Sequence, residues 1–198
     1  WNTAPQGNYD ITAKAYSSVE GFNDVVSQKI SIVVDPAVFP SANLVAGYQF
    51  EELVDTDPVA DVTGNNNGTN IGGVVQQDGA IGKAYDFVNS SDLIELPNSN
   101  DFNFFDGSGN DIPFTILMKV LWNATGNYTM VSQSQDNNNY NFRLYCQTNH
   151  LMQFLISGGT LTNAIKVEDT YYRTYGEFLD IWLTYDGSGT AEGMEMWL

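Results

Sequence analysis

Short alternating runs bounded by turn residues fill most of this chain. In each run apolar and polar residues alternate, and Gly, Asn, Asp or Ser separates one run from the next. A period of two is typical of strands with one buried face, whereas amphipathic helices repeat every three to four residues. Eleven such runs predict an all-β fold, an antiparallel two-sheet β-sandwich. The predicted strands are residues 44–50, 68–75, 84–87, 93–96, 114–121, 128–134, 141–145, 151–157, 165–167, 179–185 and 192–198.

The chain is strongly acidic. Seven Lys and Arg residues stand against 24 Asp and Glu residues, which gives a formal charge of -17. That charge repels the phosphates of nucleic acids and the anionic surface of most membranes, and it attracts divalent cations. No apolar run approaches the roughly 18 to 20 residues that a membrane-spanning helix needs. The sequence therefore predicts no nucleic-acid partner and no membrane insertion.

The N-terminal part differs from the rest. The chain of 198 residues is long enough for one large β domain, or for one domain and part of another. Two alternating segments, 9–16 and 26–34, predict a β-hairpin with a long loop. Pro36 and Pro40 then indicate a semi-stiff linker, because proline lacks a backbone donor and restricts the residue before it. We predict a hairpin fragment at 1–35, a linker at 36–43 and a sandwich domain at 44–198.

The order of the pieces after the linker resembles a known family. They are a strand at 44–51 (LVAGYQFE), a polar loop at 61–68 (DVTGNNNG), a Gly-Lys turn and strand at 79–87 (GAIGKAYDF) and a strand at 92–97 (DLIELP), with two further strands at 114–122 and 179–188. Together they resemble the laminin-G-like (LamG), concanavalin A-like lectin and glucanase jelly roll. The resemblance implies a concanavalin-like jelly roll at 44–198 whose C-terminal strands are missing.

Residues 1–35 are similar to the end of a bacterial immunoglobulin-like (Ig-like) module. A Gly-x-Tyr sequence at residues 7–9 enters a strand, and a Val/Ile-rich strand follows it. In such modules these are the last two strands of a β-sandwich. The resemblance implies that the chain is a fragment of a multi-domain protein, truncated at both ends, with tandem domains in the same chain.

The acid pair of the sugar-cleaving enzymes in the family that the chain resembles is absent from the sequence. Laminarinase-type hydrolases carry Glu-x-Asp-x-x-Glu on one strand, because alternate residues face the substrate groove. The nearest approaches, at 177–180 and 192–195, have an odd spacing that points the two acids to opposite faces. Cys146 lies in a strand-like run and is predicted to be a small core residue, and the lone His150 lies in a turn. We predict that the protein is not an enzyme.

Oxygen-bearing side chains concentrate between residues 51 and 67. Carboxylates, amides and backbone carbonyls are the ligands that Ca²⁺ prefers, although the spacing does not match an EF-hand. Jelly rolls of the family that the chain resembles often hold a structural calcium near the loop after the first strand. The resemblance implies Asp61, Asn65 and Asn67 as the ligands, and a plain Asn/Gly-rich turn is the alternative interpretation.

Loop aromatics are the candidates for a sugar site. Sugar binding rests on aromatic rings that stack on C–H faces, with polar groups that bond the hydroxyls. For each candidate, ordinary packing is the alternative to a sugar platform. Trp122 and Trp182 lie at or within strands and are predicted to fill the core. The predicted carbohydrate-binding residues are Tyr140, Tyr171, Tyr172 and Arg173.

Three functions are compatible with these patterns. The first is a non-catalytic, extracellular carbohydrate-binding or adhesion module that recognises a glycan or cell-surface ligand from a secreted, cell-surface or virion-borne protein. The second is a structural spacer domain of an adhesin or phage fibre, and the third is an accessory domain of a glycoside hydrolase. A solvent-exposed aromatic cluster would favour the binding module, whereas polar loop tips throughout would favour the spacer.

Overall fold

Antiparallel β-strands make up almost all of the regular structure. The computed structural model describes residues 7–12, 29–34, 43–52, 58–104, 106, 108, 110–123, 126–136, 139–148, 151–157, 164–169 and 176–198. Within these ranges the helical segments are two three-residue 3-10 helices, Asn100–Phe102 and Ala191–Gly193, and no described helix has the length and apolar character needed to cross a membrane. The prediction of an all-β, antiparallel fold is confirmed.

The chain divides into two compact units, Trp1–Asn98 and Ser99–Leu198. In the first unit, β1 (Gly7–Thr12) and β2 (Lys29–Val34) pair antiparallel, with Gly7 opposite Val34. These strands form the hairpin that the alternation predicted near the N-terminus. The domain boundary at 36–43 is not tested by this division and stays a prediction.

The other strands in the described part of the first unit form two small antiparallel pairs. Strand β3 (Thr69–Ile71) pairs with β6 (Leu93–Glu95), and β4 (Val75–Asp78) pairs with β5 (Lys83–Asp86). The core of this region is small: its buried members are Val59, Val74 and Tyr85, with Tyr48, Phe50 and Ile94 packed against them.

Two predicted strands of the first unit are interrupted by backbone geometry. The predicted strand 68–75 is divided into β3 and β4 because Gly72 and Gly73 adopt positive φ angles of 87° and 94°, which extended strands do not allow. The predicted strand 44–50 contributes only an isolated bridge, between Tyr48 and Asp61. Near its end Phe50 has a φ of 59°, so the extended backbone stops there.

The second unit contains two larger sheets. Strands β8 (Tyr128–Asp136), β9 (Asn139–Cys146), β10 (Met152–Ile156) and β11 (Ile165–Glu168) form a four-stranded sheet in the order β11-β10-β9-β8. Strands β7 (Phe114–Leu121), β12 (Phe178–Tyr185) and β13 (Met194–Trp197) form a three-stranded sheet in the order β13-β12-β7. All neighbouring strands in both sheets are antiparallel.

One core lies between these two sheets. The ring of Phe114 on β7 lies 5.8 Å from that of Phe142 on β9 and 6.2 Å from that of Phe154 on β10, so side chains of both sheets interlock. Cys146 is fully buried there, as predicted, and burial raises the pKa of its thiol to about 11. The arrangement is that of a β-sandwich. Its fully buried large side chains are Leu144, Met152, Phe154, Ile181 and Leu183.

Candidate functional site

Three large apolar side chains form a row across the outer face of the three-stranded sheet. Trp182 on β12 lies opposite Leu117 on β7 and opposite Trp197 on β13. Directly opposed residues of antiparallel strands place their Cβ atoms about 4.5 to 5.5 Å apart, so the three side chains are neighbours. They are 52%, 49% and 61% exposed, respectively. We call Leu117, Trp182 and Trp197 the apolar row.

Strand alternation explains why the row faces solvent. Ile181 and Leu183 are fully buried in the core, and successive side chains of a strand point to opposite faces. Trp182 between them must therefore point outward. The prediction that Trp182 fills the core is wrong for this reason, whereas Trp122 is buried as predicted. The same alternation buries Met194 on β13 and turns Trp197 outward.

Polar pairs lie on both sides of the row. On one side Lys119 of β7 lies opposite Asp180 of β12, and their side chains form an ion pair at 2.5 Å. On the other side Thr184 of β12 lies opposite Thr115 and Glu195. An exposed ion pair of this kind contributes about 0–1 kcal/mol to stability. Its larger effect here is local, because it neutralises the Lys119 ammonium.

The outer face carries a net negative charge. Among its ten described residues, Lys119 is the only cation, and Asp180 and Glu195 are the carboxylates. The ten are Thr115, Leu117, Lys119, Leu121, Phe178, Asp180, Trp182, Thr184, Glu195 and Trp197.

An apolar row with polar neighbours can bind molecules that have one apolar face and many hydroxyls. Aromatic rings stack on C–H groups, while carboxylates and hydroxyls accept or donate hydrogen bonds at the edges. The register of the sheet positions the row, since its three members project from paired strands rather than from loops. Sequence reasoning missed Trp197 and misplaced Trp182, although the alternation of residues 179–185 contained the signal.

Asp61, the first predicted calcium ligand, organises a loop in the first unit. The carboxylate is buried. Its Oδ1 atom accepts hydrogen bonds from the backbone N–H groups of Gly47 at 2.8 Å and Thr63 at 3.1 Å. Its Oδ2 atom accepts one from the Asn66 N–H at 3.0 Å and one from the Thr63 hydroxyl. Burial raises the pKa of this carboxyl, but the hydrogen bonds from Thr63, Gly47 and Asn66 outweigh it, and the pKa lies below its ordinary value.

The other two predicted ligands lie on the same loop. The Asn67 Oδ1 atom accepts a hydrogen bond from the Asp61 N–H at 2.9 Å, and Asn65 is exposed. The structure thus brings Asp61 and Asn67 together, but as partners in a hydrogen-bonded turn. A calcium ion would have to displace donors from both Asp61 oxygens, so the residues as placed do not fit the ion. Calcium binding stays a prediction, and among the described residues no cluster of three or more His, Cys, Asp or Glu side chains could hold a metal ion.

The predicted loop aromatics are only partly described. The backbone of Tyr140 lies in β9, opposite Ser134 of β8, and its side chain lies outside the described residues. Tyr171, Tyr172 and Arg173 also lie outside them, as does His150. Their assignment to a sugar site stays a prediction.

The chain matches no family model, no curated protein and no solved structure. Its function is therefore inferred from its own residues.

Tyr185, at the end of β12, anchors the turn that follows. The buried phenol donates a hydrogen bond to the Asp111 carboxylate and accepts one from the Gly189 N–H at 2.7 Å. Burial, followed by the hydrogen bond to Asp111, raises the pKa of Tyr185 to about 12. This contact fixes the connection between β12 and β13, and with it the strand that carries Trp197.

Proposed function

We propose that this protein is a non-catalytic carbohydrate-binding module and that the apolar row is its sugar platform. The observation that carries the proposal is the direct opposition of Trp182 and Trp197, both more than half exposed, on neighbouring strands of one sheet. Exposed single apolar residues are ordinary, but adjacent tryptophans flanked by polar groups are typical of binding surfaces.

The free energy from burying the apolar surface of the two tryptophans is sufficient for a weak glycan site. At their observed exposure the two indole rings present about 250 Å² of apolar surface. If a sugar covers half of that area, the burial contributes about 3 kcal/mol at about 25 cal/mol per Å². Hydrogen bonds that sugar hydroxyls donate to the Glu195 and Asp180 carboxylates, or exchange with the Thr184 hydroxyl, add to this.

The proposal includes the wider setting that the sequence suggests. The module would be a LamG-like jelly roll next to an Ig-like module, within a multi-domain secreted, cell-surface or virion-borne protein. An adhesion role is included, since a platform for glycans serves attachment to a coated surface. The exposed tryptophan pair is the feature expected of a binding module rather than of a structural spacer, and an accessory domain of a glycoside hydrolase would use the same platform.

A glycan-binding screen with variants tests the proposal. The full chain, Trp182→Ala and Trp197→Ala are compared by affinity electrophoresis against a panel of polysaccharides, with calcium and with chelator. Phe87→Ala is the matched control, because Phe87 is an equally exposed aromatic residue in the first unit. We expect each tryptophan variant to lose about ten-fold or more in affinity, which corresponds to about 1.4 kcal/mol. The control should bind like the parent chain.

Two results would contradict the proposal. One is a chain that binds no polysaccharide of the panel. The other is a glycan whose binding survives both tryptophan substitutions but is lost on Tyr140→Ala, which would move the site to the predicted loop aromatics.

A further inference from the structure

The charges around the apolar row select the class of glycan. We infer that the row binds a neutral glycan, laid across the three strands of the sheet, and that it rejects uronate-containing and sulfated polysaccharides. This inference rests on the proposed function and goes further, because an aromatic platform alone would accept either class.

The selection against anionic glycans follows from Lys119, the only cation among the described residues of this face. Proteins that bind anionic polymers use unpaired Lys or Arg side chains. Here the Lys119 ammonium lies 2.5 Å from the Asp180 carboxylate, so its charge is already neutralised. Glu195, on the other side of the row, adds a carboxylate. An anionic glycan placed on the row would meet a net negative face on a chain of charge -17, and like charges repel.

The dimensions of the row favour a sugar over a protein partner. Leu117, Trp182 and Trp197 together expose about 300 Å² of apolar surface. A stable protein–protein interface buries about 800 Å² on each partner, of which roughly 450 Å² is apolar, and this is more than the row provides. A second copy of this chain is further disfavoured because two chains of charge -17 repel each other.

The register of the strands sets the direction of the ligand. The three members of the row lie on neighbouring strands about 4.8 Å apart, so the row extends about 10 Å perpendicular to the strands. Along the strands it is only one residue deep, because the Lys119–Asp180 pair lies on one side and Thr184 on the other. A chain-like ligand therefore fits across the strands, with its hydroxyls toward these polar groups. This is the geometry of a short glycan segment rather than of a single sugar in a deep pocket.

Matched polysaccharide pairs test the inference. The full chain is compared by affinity electrophoresis against three pairs of neutral and charged polymers: hydroxyethylcellulose and carboxymethylcellulose, dextran and dextran sulfate, and agarose and carrageenan. Each pair is tested in about 0.1 M and in about 1 M NaCl, because the Debye length falls from about 10 to about 3 Å between these conditions. We expect retention by the neutral member of at least one pair, no retention by its charged partner, and less than about two-fold change with salt, since no ion pair to the ligand is being screened. Trp182→Ala should abolish the retention.

A charge variant sharpens the test. Asp180→Asn removes the partner of Lys119, and we expect it to raise the ratio of charged-polymer to neutral-polymer affinity by about five-fold at low salt. Asp78→Asn is the matched control, because Asp78 forms a similar exposed ion pair with Lys83 at 2.7 Å in the first unit. The control should leave the ratio unchanged.

The outcomes separate this inference from the proposed function. Equal or tighter binding of a charged polymer, lost on Trp182→Ala and on Lys119→Gln, would overturn the neutral-glycan inference and leave the sugar platform intact. Failure to bind any member of the pairs would overturn both. A dimer that sedimentation detects in the parent chain but not in Trp182→Ala would also overturn the inference, since a second copy would then cover the row.

Discussion

The two faces of the three-stranded sheet differ in burial between residues that are adjacent in sequence. On the inner face Ile181 and Leu183 have no exposed surface and pack into the core. On the outer face Trp182, between them, has more than half of its surface exposed. Large apolar residues of one strand are thus divided by parity alone, so that the inner set stabilises the fold and the outer set stays exposed to solvent.

The largest loss of stability is expected for a substitution on the inner face. Leu183→Ala should lower the free energy of unfolding by about 2–5 kcal/mol, because it leaves a cavity in a core that can collapse only in part. Trp182→Ala should lower it by less than about 1 kcal/mol, although it removes a larger side chain, because the indole is largely exposed. Urea denaturation of both variants measures the difference. Equal losses of stability would show that the outer tryptophan is also a structural residue.

The next effect concerns the Asp61 loop. Asp61→Asn replaces a carboxylate that accepts four hydrogen bonds with a neutral amide. We expect this to lower the free energy of unfolding by about 1–3 kcal/mol. The lowered pKa of Asp61 means that its contribution is fully present above the unfolded-state pKa of about 4 and is lost as the pH falls through the lower folded-state value. The urea midpoints of the parent and the variant should therefore differ at neutral pH and converge as the pH falls below about 4.

Calcium provides the control for this loop. Because donors already occupy both Asp61 oxygens, we expect the same midpoint for the parent chain with calcium and with chelator. A calcium-dependent increase that disappears in Asp61→Asn would instead support the predicted site at Asp61, Asn65 and Asn67. Glu95→Gln, which alters an exposed carboxylate of β6, should change neither the acid behaviour nor the calcium response.

A smaller effect is expected at the end of β12, where Tyr185 anchors the turn that leads to β13. Tyr185→Phe removes the hydroxyl that Asp111 and the Gly189 N–H share as a hydrogen-bond partner. We expect this to lower the free energy of unfolding by about 1–2 kcal/mol. Since the folded pKa of Tyr185 is raised to about 12, its contribution is present below the unfolded value of about 10 and is lost as the pH rises from there through about 12. Alkaline unfolding curves should show a steeper fall for the parent chain than for the variant.

The smallest effect concerns the ion pair of the outer face. Lys119→Met should change the free energy of unfolding by less than about 1 kcal/mol, because both partners are exposed and water screens their attraction. Lys83→Met removes the corresponding pair of the first unit and should behave alike in thermal unfolding at low salt. A loss above about 2 kcal/mol for Lys119→Met alone would show that the pair is structural, contrary to the role that we give it.

Much of the strand content could be predicted, because alternation is a local property of the sequence. The bounds of β7 agree with the predicted strand 114–121, and β12 begins one residue before its predicted start. The predictions failed where local geometry overrode the pattern, at Gly72 and Gly73 and near Phe50. The site was missed for a different reason. Trp182 was assigned to the core by residue type, although Ile181 and Leu183 already occupied the buried parity of the strand.

Local patterns along the chain were enough to predict an all-β fold, and they contained the parity that turns Trp182 away from the core, since both depend on residues that are close in sequence. The row of Leu117, Trp182 and Trp197 and the ion pair of Lys119 with Asp180 arise only when the strands pair in the folded protein. These residues lie on three strands separated in sequence. Their alignment depends on strand order and register, and a slip of one residue would turn one set of side chains to the other face.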